Sequence, residues 1–245
     1  MSFTWDSVSS DTKKFNITER HVYNAPAYDM NGIEVPGRSG DILNPQNRLK
    51  NKVVTYTGYL RSKDFAGSTT YEKLSTGVTE LKAWLLSNAG AYHELTDTYD
   101  PGYTRMGFIS GETSIEEVEN RPFGVIINVS FNCKPFMYGP AASDTTLTTS
   151  GGTITNPNKF DSLPLIKITM SSGGTLTVAG KTWTIGTYSG TLIVDSENMD
   201  WYDTIQLRNN LVTGTGFPVL KPGANTISWT GGISKVVITP RWRTL

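Results

Sequence analysis

The chain has 245 residues, with 22 Lys and Arg against 22 Asp and Glu. That balance excludes the strongly basic character with which a general nucleic-acid binder displaces counterions from phosphate. Charged residues are only 18% of the sequence, below the usual quarter, and Thr, Ser, Gly and Asn fill much of the rest, which suits short half-wet strands better than helices.

The first segment, Met1-Ser2-Phe3-Thr4-Trp5-Asp6, lacks the basic-then-apolar order of a signal peptide, so synthesis and folding in a cytosol are expected. No later run approaches the roughly 18 apolar residues of a membrane-crossing helix. Val53 to Leu60 reads as a strand. From Tyr71 the apolar residues Tyr71, Leu74, Val78, Leu81 and Leu85 recur at steps of three and four, which predicts one helix with a single apolar face. Thr69 and Glu72 stand at capping-box spacing, and Asn88 and Gly90 suit its C-terminal end. Gly77 weakens its middle and is expected to split it in two. Tyr92–Thr96 and Thr104–Ser110 form an expected hairpin across Asp100-Pro101-Gly102. Val125, Ile127, Val129, Phe131 and Cys133 alternate with more polar neighbours and should face a core. Cys133, the single cysteine, is then a small buried hydrophobe.

A boundary falls near residues 139–150, where Gly139-Pro140-Ala141-Ala142-Ser143-Asp144 is turn-prone. From residue 140 onward there are eight basic and six acidic side chains, under a third of the charge in over two-fifths of the chain. Two domains, 1–139 and 140–245, are expected. The second reads as short strands at Leu163–Met170, Thr175–Val178, Thr182–Ile185, Thr191–Val194, Thr204–Leu207, Thr226–Trp229 and Lys235–Thr239. Gly173-Gly174, Ala179-Gly180, Ser189-Gly190, Pro222-Gly223 and Gly231-Gly232 separate them as turns. Such spacing indicates a β-sandwich or barrel, with Trp183 and Ile185, Leu192 and Val194, and Ile227 and Trp229 pointing inward.

Candidate chemistry concentrates in one segment. Asp195, Glu197, Asp200 and Asp203 crowd a strand end beside Trp201 and Tyr202. Paired carboxylates near aromatics raise glycoside hydrolysis. Asp195-x-Glu197-x-x-Asp200 raises calcium, without the glycine and terminal Glu of an EF-hand loop. Asp200, Trp201 and Tyr202 raise a surface or sugar contact. Four acids on one loop cannot flank a sugar ring from two sides, and a solvated acidic turn accounts for them more simply. His21 and His93 have no evident nucleophile partner, and two histidines with one cysteine give a zinc site little to be built from. Nucleophile elbow, Walker loop and dinucleotide fingerprint are all missing from the sequence. A non-enzymatic protein without cofactor or metal is expected.

Several segments are similar to one known family. Phe3 with Ser9-Ser10-Asp11, then Val35-Pro36-Gly37-Arg38-Ser39-Gly40-Asp41-Ile42-Leu43, then Leu95-Thr96-Asp97-Thr98-Tyr99-Asp100-Pro101, resemble in order the first domain of siphophage distal tail proteins. Phe131-Asn132-Cys133-Lys134-Pro135-Phe136-Met137-Tyr138 resembles the close of that domain. Pro218 to Ile227 and Pro240-Arg241-Trp242-Arg243 resemble its second domain. Each motif is weak alone; their succession is specific.

The resemblance implies a mainly β fold of two domains. The first is a β-sandwich or split-barrel-like ring domain with one helix, and the second is a galectin-like β-sandwich. It implies a homohexameric ring in the virion tail tip that joins the tail tube protein to the tail-associated hub or tip protein. Tape-measure and receptor-binding proteins are further implied neighbours, with no membrane partner. Arg38 and Asp41 are candidate ring or partner contacts. DNA would pass the lumen without specific binding, so a neutral or acidic lining is expected. A carbohydrate-binding tail module that recognises the host cell wall is the alternative.

Overall fold

The computed structural model describes residues 1–87, 90–109, 113–117 and 124–245. The helix end expected at Asn88, and Ser110 of the expected hairpin, lie outside the described residues. Among the described residues the protein is mainly β with a single α-helix, and it divides into two compact units, Met1–Met137 with Leu245, and Tyr138–Thr244.

The first unit contains β1 (Phe3–Trp5), β2 (Val8–Ser9), β3 (Asn16–His21), β4 (Tyr28–Ile33), β5 (Ile42–Leu49), β6 (Lys52–Arg61), α1 (Thr70–Leu86), β7 (His93–Asp97), β8 (Thr104–Ile109), β9 (Ser114–Glu117) and β10 (Gly124–Tyr138). Its sheet runs β2-β1-β7-β8-β10-β6-β3, with β9 also on β10, and β4 and β5 form a separate hairpin. The alternation in β10 is borne out, since Val125, Ile127, Val129, Phe131 and Cys133 are all buried. Burial pushes the Cys133 thiol up to about 12, so the side chain is an inert hydrophobe.

The capping box on α1 is complete. Thr69 accepts from the Glu72 amide at 3.2 Å, and Glu72 accepts from the Thr69 amide at 3.2 Å. The expected split at Gly77 does not occur, because α1 runs unbroken for 17 residues. Gly77 is needed for packing: a Cβ there would lie 2.6 Å from the Phe65 ring. Tyr71 turns out exposed, and Trp84 takes a place in the core instead. Trp84 stacks on Phe3 with centroids 5.7 Å apart, and Phe3 also stacks on Tyr56 at 4.6 Å. The N-terminal strand therefore supplies the centre of an aromatic core, in offset geometry that adds to plain area burial.

Beside that core lies a buried ion cluster. The Arg105 guanidinium is fully buried and donates to Asp97 Oδ2 at 3.0 Å and to Asp100 Oδ2. Tyr56 donates its hydroxyl to the same Asp97 oxygen at 2.6 Å. The other Asp97 oxygen accepts the amides of Tyr99 and Asp100 at 3.0 and 2.9 Å. Burial and the Asp97 charge push the Tyr56 hydroxyl well above its ordinary range. The Leu95-to-Pro101 motif is thus a turn folded around one arginine.

The second unit contains β11 (Thr145–Leu147), β12 (Gly152–Asn156), β13 (Leu165–Val178), β14 (Lys181–Ile185), β15 (Gly190–Asp195), β16 (Asp200–Tyr202), β17 (Val212–Thr213), β18 (Gly223–Thr239) and β19 (Arg243–Thr244). β13 and β18 are long antiparallel partners. The first part of β13 also pairs with β15, and its last part pairs with β14. Gly173-Gly174 and Gly231-Gly232 are therefore not turns between strands. They are bends within β13 and β18, where the ladder shifts register. Gly231 sits at φ +74°, and a Cβ on it would overlap the Gly173 carbonyl, so the strands cross there only without side chains. Thr204–Leu207, expected as a strand, is a turn with one bridge from Leu207 to Tyr202. The expected inward pairs are all buried, Trp183 and Ile185, Leu192 and Val194, Ile227 and Trp229.

Replacing Arg105 with Ala strands the buried Asp97 carboxylate and the half-buried Asp100. The expected loss is about 3–5 kcal/mol, read as a lower denaturation midpoint of the first unit. A variant as stable as the parent would show that the cluster does not hold the turn.

Candidate functional site

Two places collect the sequence candidates. The first is the β4–β5 hairpin. Its ladder pairs Tyr28 with Leu49, Asn31 with Asn44 and Ile33 with Ile42. Asp29 anchors the base, buried and accepting from Arg48 Nε at 2.7 Å, with Lys50 Nζ at 3.3 Å. The Arg48 bond outweighs desolvation and holds the Asp29 carboxyl below its ordinary range. At the tip, Val35-Pro36-Gly37-Arg38 is a turn closed by the Arg38 amide on the Val35 carbonyl at 3.1 Å. Gly37 and Gly40 both take the left-handed conformation.

Arg38 and Asp41 both sit on this tip. Both are exposed, and within the chain they form no ion pair with each other or with another described residue. The Asp41 carboxyl packs against Gly32, where an added Cβ would come within 2.5 Å of it. The arm itself is bare on both faces. Tyr28, Met30, Ile33, Val35, Ile42 and Leu43 are exposed, Leu43 by 63%. Its strands pack chiefly on each other. A lone two-stranded hairpin is marginal in water, so these aliphatics want a further surface.

The second place is the acidic segment of the second unit. Asp195 is buried and forked by Arg241, whose Nη1 and Nη2 donate at 2.6 and 3.1 Å. The amides of Glu197 and Asn198 donate to Asp195 Oδ1 at 3.0 and 3.2 Å. Glu197 accepts from Tyr138 at 2.7 Å and lies 3.8 Å from Arg241. Asp203 accepts the Gln206 and Ile205 amides and Arg208 Nε, and these bonds hold its carboxyl far below the usual range. Burial alone would raise Asp195, yet Arg241 and the two amides win and its carboxyl is held low.

These carboxylates are therefore engaged by guanidinium and amide donors, as structural ties. That explains the crowding without hydrolysis or calcium. Among the described residues no cluster of three or more His, Cys, Asp or Glu is placed to hold a metal. Trp201 requires a correction: it is 3% exposed and belongs to the core cluster of its unit, so its indole offers no face to a sugar. Asp200 and Tyr202, its neighbours on β16, alternate with it and point outward; both are half-buried. The histidines are also accounted for. His93 lies 3.6 Å from Asp6 and edge-on to Trp5, and His21 is exposed.

Sequence reasoning missed the arm as a hairpin. Its strands lack period-two burial, and only the Pro-Gly tip signalled a turn. It also missed Ile205 and Leu207, exposed by 85% and 62%, because Thr204–Leu207 alternates like a strand. The signal for a turn was Asp203, which closes one with its side chain.

Fold and site together define a two-domain, mainly β protein whose buried charges serve its own architecture. Neither a family model nor a curated protein sequence matches the chain. Among solved structures it resembles the crystal structure of the Dit protein (gp 19.1) of SPP1, described as a paradigm of the hub adsorption apparatus in phages infecting Gram-positive bacteria. The TM-score is 0.74 at 17% identity, over 100% of this chain and 99% of that one. The likeness shows that the two share a fold. No helix among the described residues is long and apolar enough to cross a membrane.

Two outcomes test this reading of the acidic segment. Trp201→Ala should cost about 3–5 kcal/mol in denaturant melts; an unchanged midpoint would return the indole to the surface. The Asp195 carboxyl is depressed in the folded state. Its contribution is therefore present above the unfolded carboxylate value, about 3.9, and is lost as pH falls through the lower folded value. The melting temperature of the second unit should hold from pH 7 to about 4 and drop below that. Arg241→Ala should lower the unfolding free energy of the second unit at pH 7 by about 2 kcal/mol, the scale of hydrogen bonds to a charged group, and flatten the acid limb.

Proposed function

We propose that the chain is a non-enzymatic structural hub of a long, non-contractile phage tail. In this reading it is a distal tail protein whose six copies close into a ring between the tail tube and the tip. The observation that carries it is the end-to-end likeness to the SPP1 Dit protein, over 100% of this chain and 99% of that one. The ordered motifs of the sequence, Val35–Leu43 and Leu95–Pro101 among them, support the same assignment. So does the division at Tyr138, with the first unit as ring domain and the second as a galectin-like sandwich.

The bare arm supplies a mechanism of assembly. A ring of identical subunits needs one heterologous contact that closes on itself. The β4–β5 arm, with Arg38 and Asp41 at its tip, is the natural donor half of that contact. Its aliphatics would cover apolar surface on the next copy, and its tip charges would find partners there. Tube protein and hub protein would then meet the two faces of the ring.

DNA would cross such a ring at ejection, so its lining must not hold phosphate. The outward face of β6 and β10 has suitable chemistry at its centre. Thr55 pairs with Ser130 at 3.0 Å and Thr57 with Asn128 at 2.6 Å. Hydroxyls and amides that satisfy one another offer little to a passing duplex. The wall-binding alternative loses its aromatic platform with the burial of Trp201.

Light scattering tests the assembly. The full chain should show six times the 26.9 kDa chain mass, alone or with its hub partner. Ile33→Asp with Leu43→Asp, both on exposed arm positions, should leave a folded monomer. A parent chain that stays monomeric at high concentration and binds neither tube nor hub protein would overturn the reading.

A further inference from the structure

The second unit carries a small exposed apolar surface around β16, apart from the β4–β5 arm. β16 pairs on one side with β15, setting Ile193 against Tyr202. On the other side Tyr202 bridges to Leu207, the Arg208 amide donates to the Trp201 carbonyl at 2.6 Å, and Asn209 Nδ2 donates to Asp200 at 3.1 Å. Alternation along β16 puts Asp200 and Tyr202 on the outward face, the Tyr202–Leu207 bridge sets Leu207 beside Tyr202, and Ile205 stands exposed in the turn between them. Trp201, Asp203 and Arg208 form the inward set.

This face is held rigid. Asp203 accepts the amides of Ile205 and Gln206 at 2.8 and 2.9 Å, the Arg208 Nε at 2.7 Å and the Tyr188 hydroxyl at 3.2 Å. Asn209 Oδ1 accepts the Trp201 amide at 2.6 Å. A turn fastened this firmly could have carried any polar pair, yet it displays Ile205 and Leu207 almost bare. Preordered aliphatics lose little entropy on docking.

Charge narrows the occupant. Asp195 and Glu197 face Arg241, and Asp203 has Arg208. Asp200 has only the Asn209 amide, with no Lys or Arg of the described residues within salt-bridge distance. An unneutralised carboxylate beside bare aliphatics disfavours nucleic acid and anionic lipid headgroups alike. The largest aromatic face of the segment, Trp201, points the other way, so sugar stacking is poorly served.

We propose that Asp200, Tyr202, Ile205 and Leu207 form a docking surface for a partner protein of different sequence, one presenting an aliphatic pocket edged by Lys or Arg. The proposal rests on the tail-hub reading only for the choice of proteins to test, which are the tail proteins encoded beside this chain. A photo-crosslinking benzoylphenylalanine at position 207 of the full chain, mixed with each of these purified, should trap one of them next to a basic residue. Asp200→Lys and Leu207→Asp should each weaken that complex at least tenfold. Melting temperature and light-scattering mass should stay at parent values, since both positions lie outside the core. Absence of any cross-link, cross-links only between two copies of this chain, or unchanged affinity in both variants would overturn the proposal. A monomeric mass with the cross-link retained would count against the ring alone.

Discussion

The first unit is organised around one buried cation. Arg105 has no exposed side-chain surface, and Asp97 beside it has none either. A charge in that position must be matched in place, because its desolvation is recovered only with near-ideal geometry. The match determines a great deal. Asp97 is the strand partner of Phe3, so the carboxylate that balances Arg105 also sets the register of the N-terminal strand. Phe3 then reaches Tyr56, Phe131 and Trp84. Tyr56 closes the circuit by donating to Asp97. Turn, N-terminal strand, central strand and helix are thus tied through one guanidinium. An apolar replacement of the whole cluster need not cost stability, but it would not specify the turn. The ions serve to define one arrangement.

What could be read from the sequence follows from how local each cause is. The helix was legible because its period and its cap lie within 17 residues, and Thr69 and Glu72 do what their spacing suggests. The facing of β10 was legible because alternation is a local property. Gly77 was not, since its reason is the Phe65 ring, a tertiary neighbour. The paired glycines of β13 and β18 misled for the same reason. A Gly-Gly step signals a turn locally, but here two bent strands cross so closely that a Cβ has no room. The site divides similarly. The tip turn of the arm was visible in Pro36-Gly37, while the bareness of its strands was not, since exposure is a relation to the rest of the fold.

The acidic segment shows why residue counts overstate chemistry. Four acids near two aromatics suggest a hydrolase or a cation site. In the fold three of them are engaged, by Arg241 and Arg208 and by backbone amides, and the tryptophan is core. Asp195 and Asp203, whose oxygens are so engaged and whose carboxyls are held low, are poor general acids and already satisfied as ligands. Only Asp200 keeps its chemistry available, and its neighbours are aliphatic. Of the four acids, Asp200 alone belongs to the proposed docking surface, and the other three are structural ties.

The equality of positive and negative charge acquires a mechanical sense on this view. Charges are cancelled within each unit, Arg105 by Asp97 and Asp100, Arg241 by Asp195, Arg208 by Asp203, Arg48 by Asp29. The surfaces proposed for assembly, the arm and the β16 face, display exposed apolar side chains such as Ile33, Leu43, Ile205 and Leu207. Contacts made by exposed ion pairs weaken as salt rises. Contacts made by aliphatic burial do not, and kosmotropic salts strengthen them. A ring of the proposed kind, assembled in one ionic setting and required to stay closed in another, would gain from this division. The charge clusters that tie each unit together have at least one sheltered member, Arg105, Asp195, Asp203 or Asp29, where salt screens them less, and in the proposed ring cohesion between subunits would rest on the hydrophobic effect.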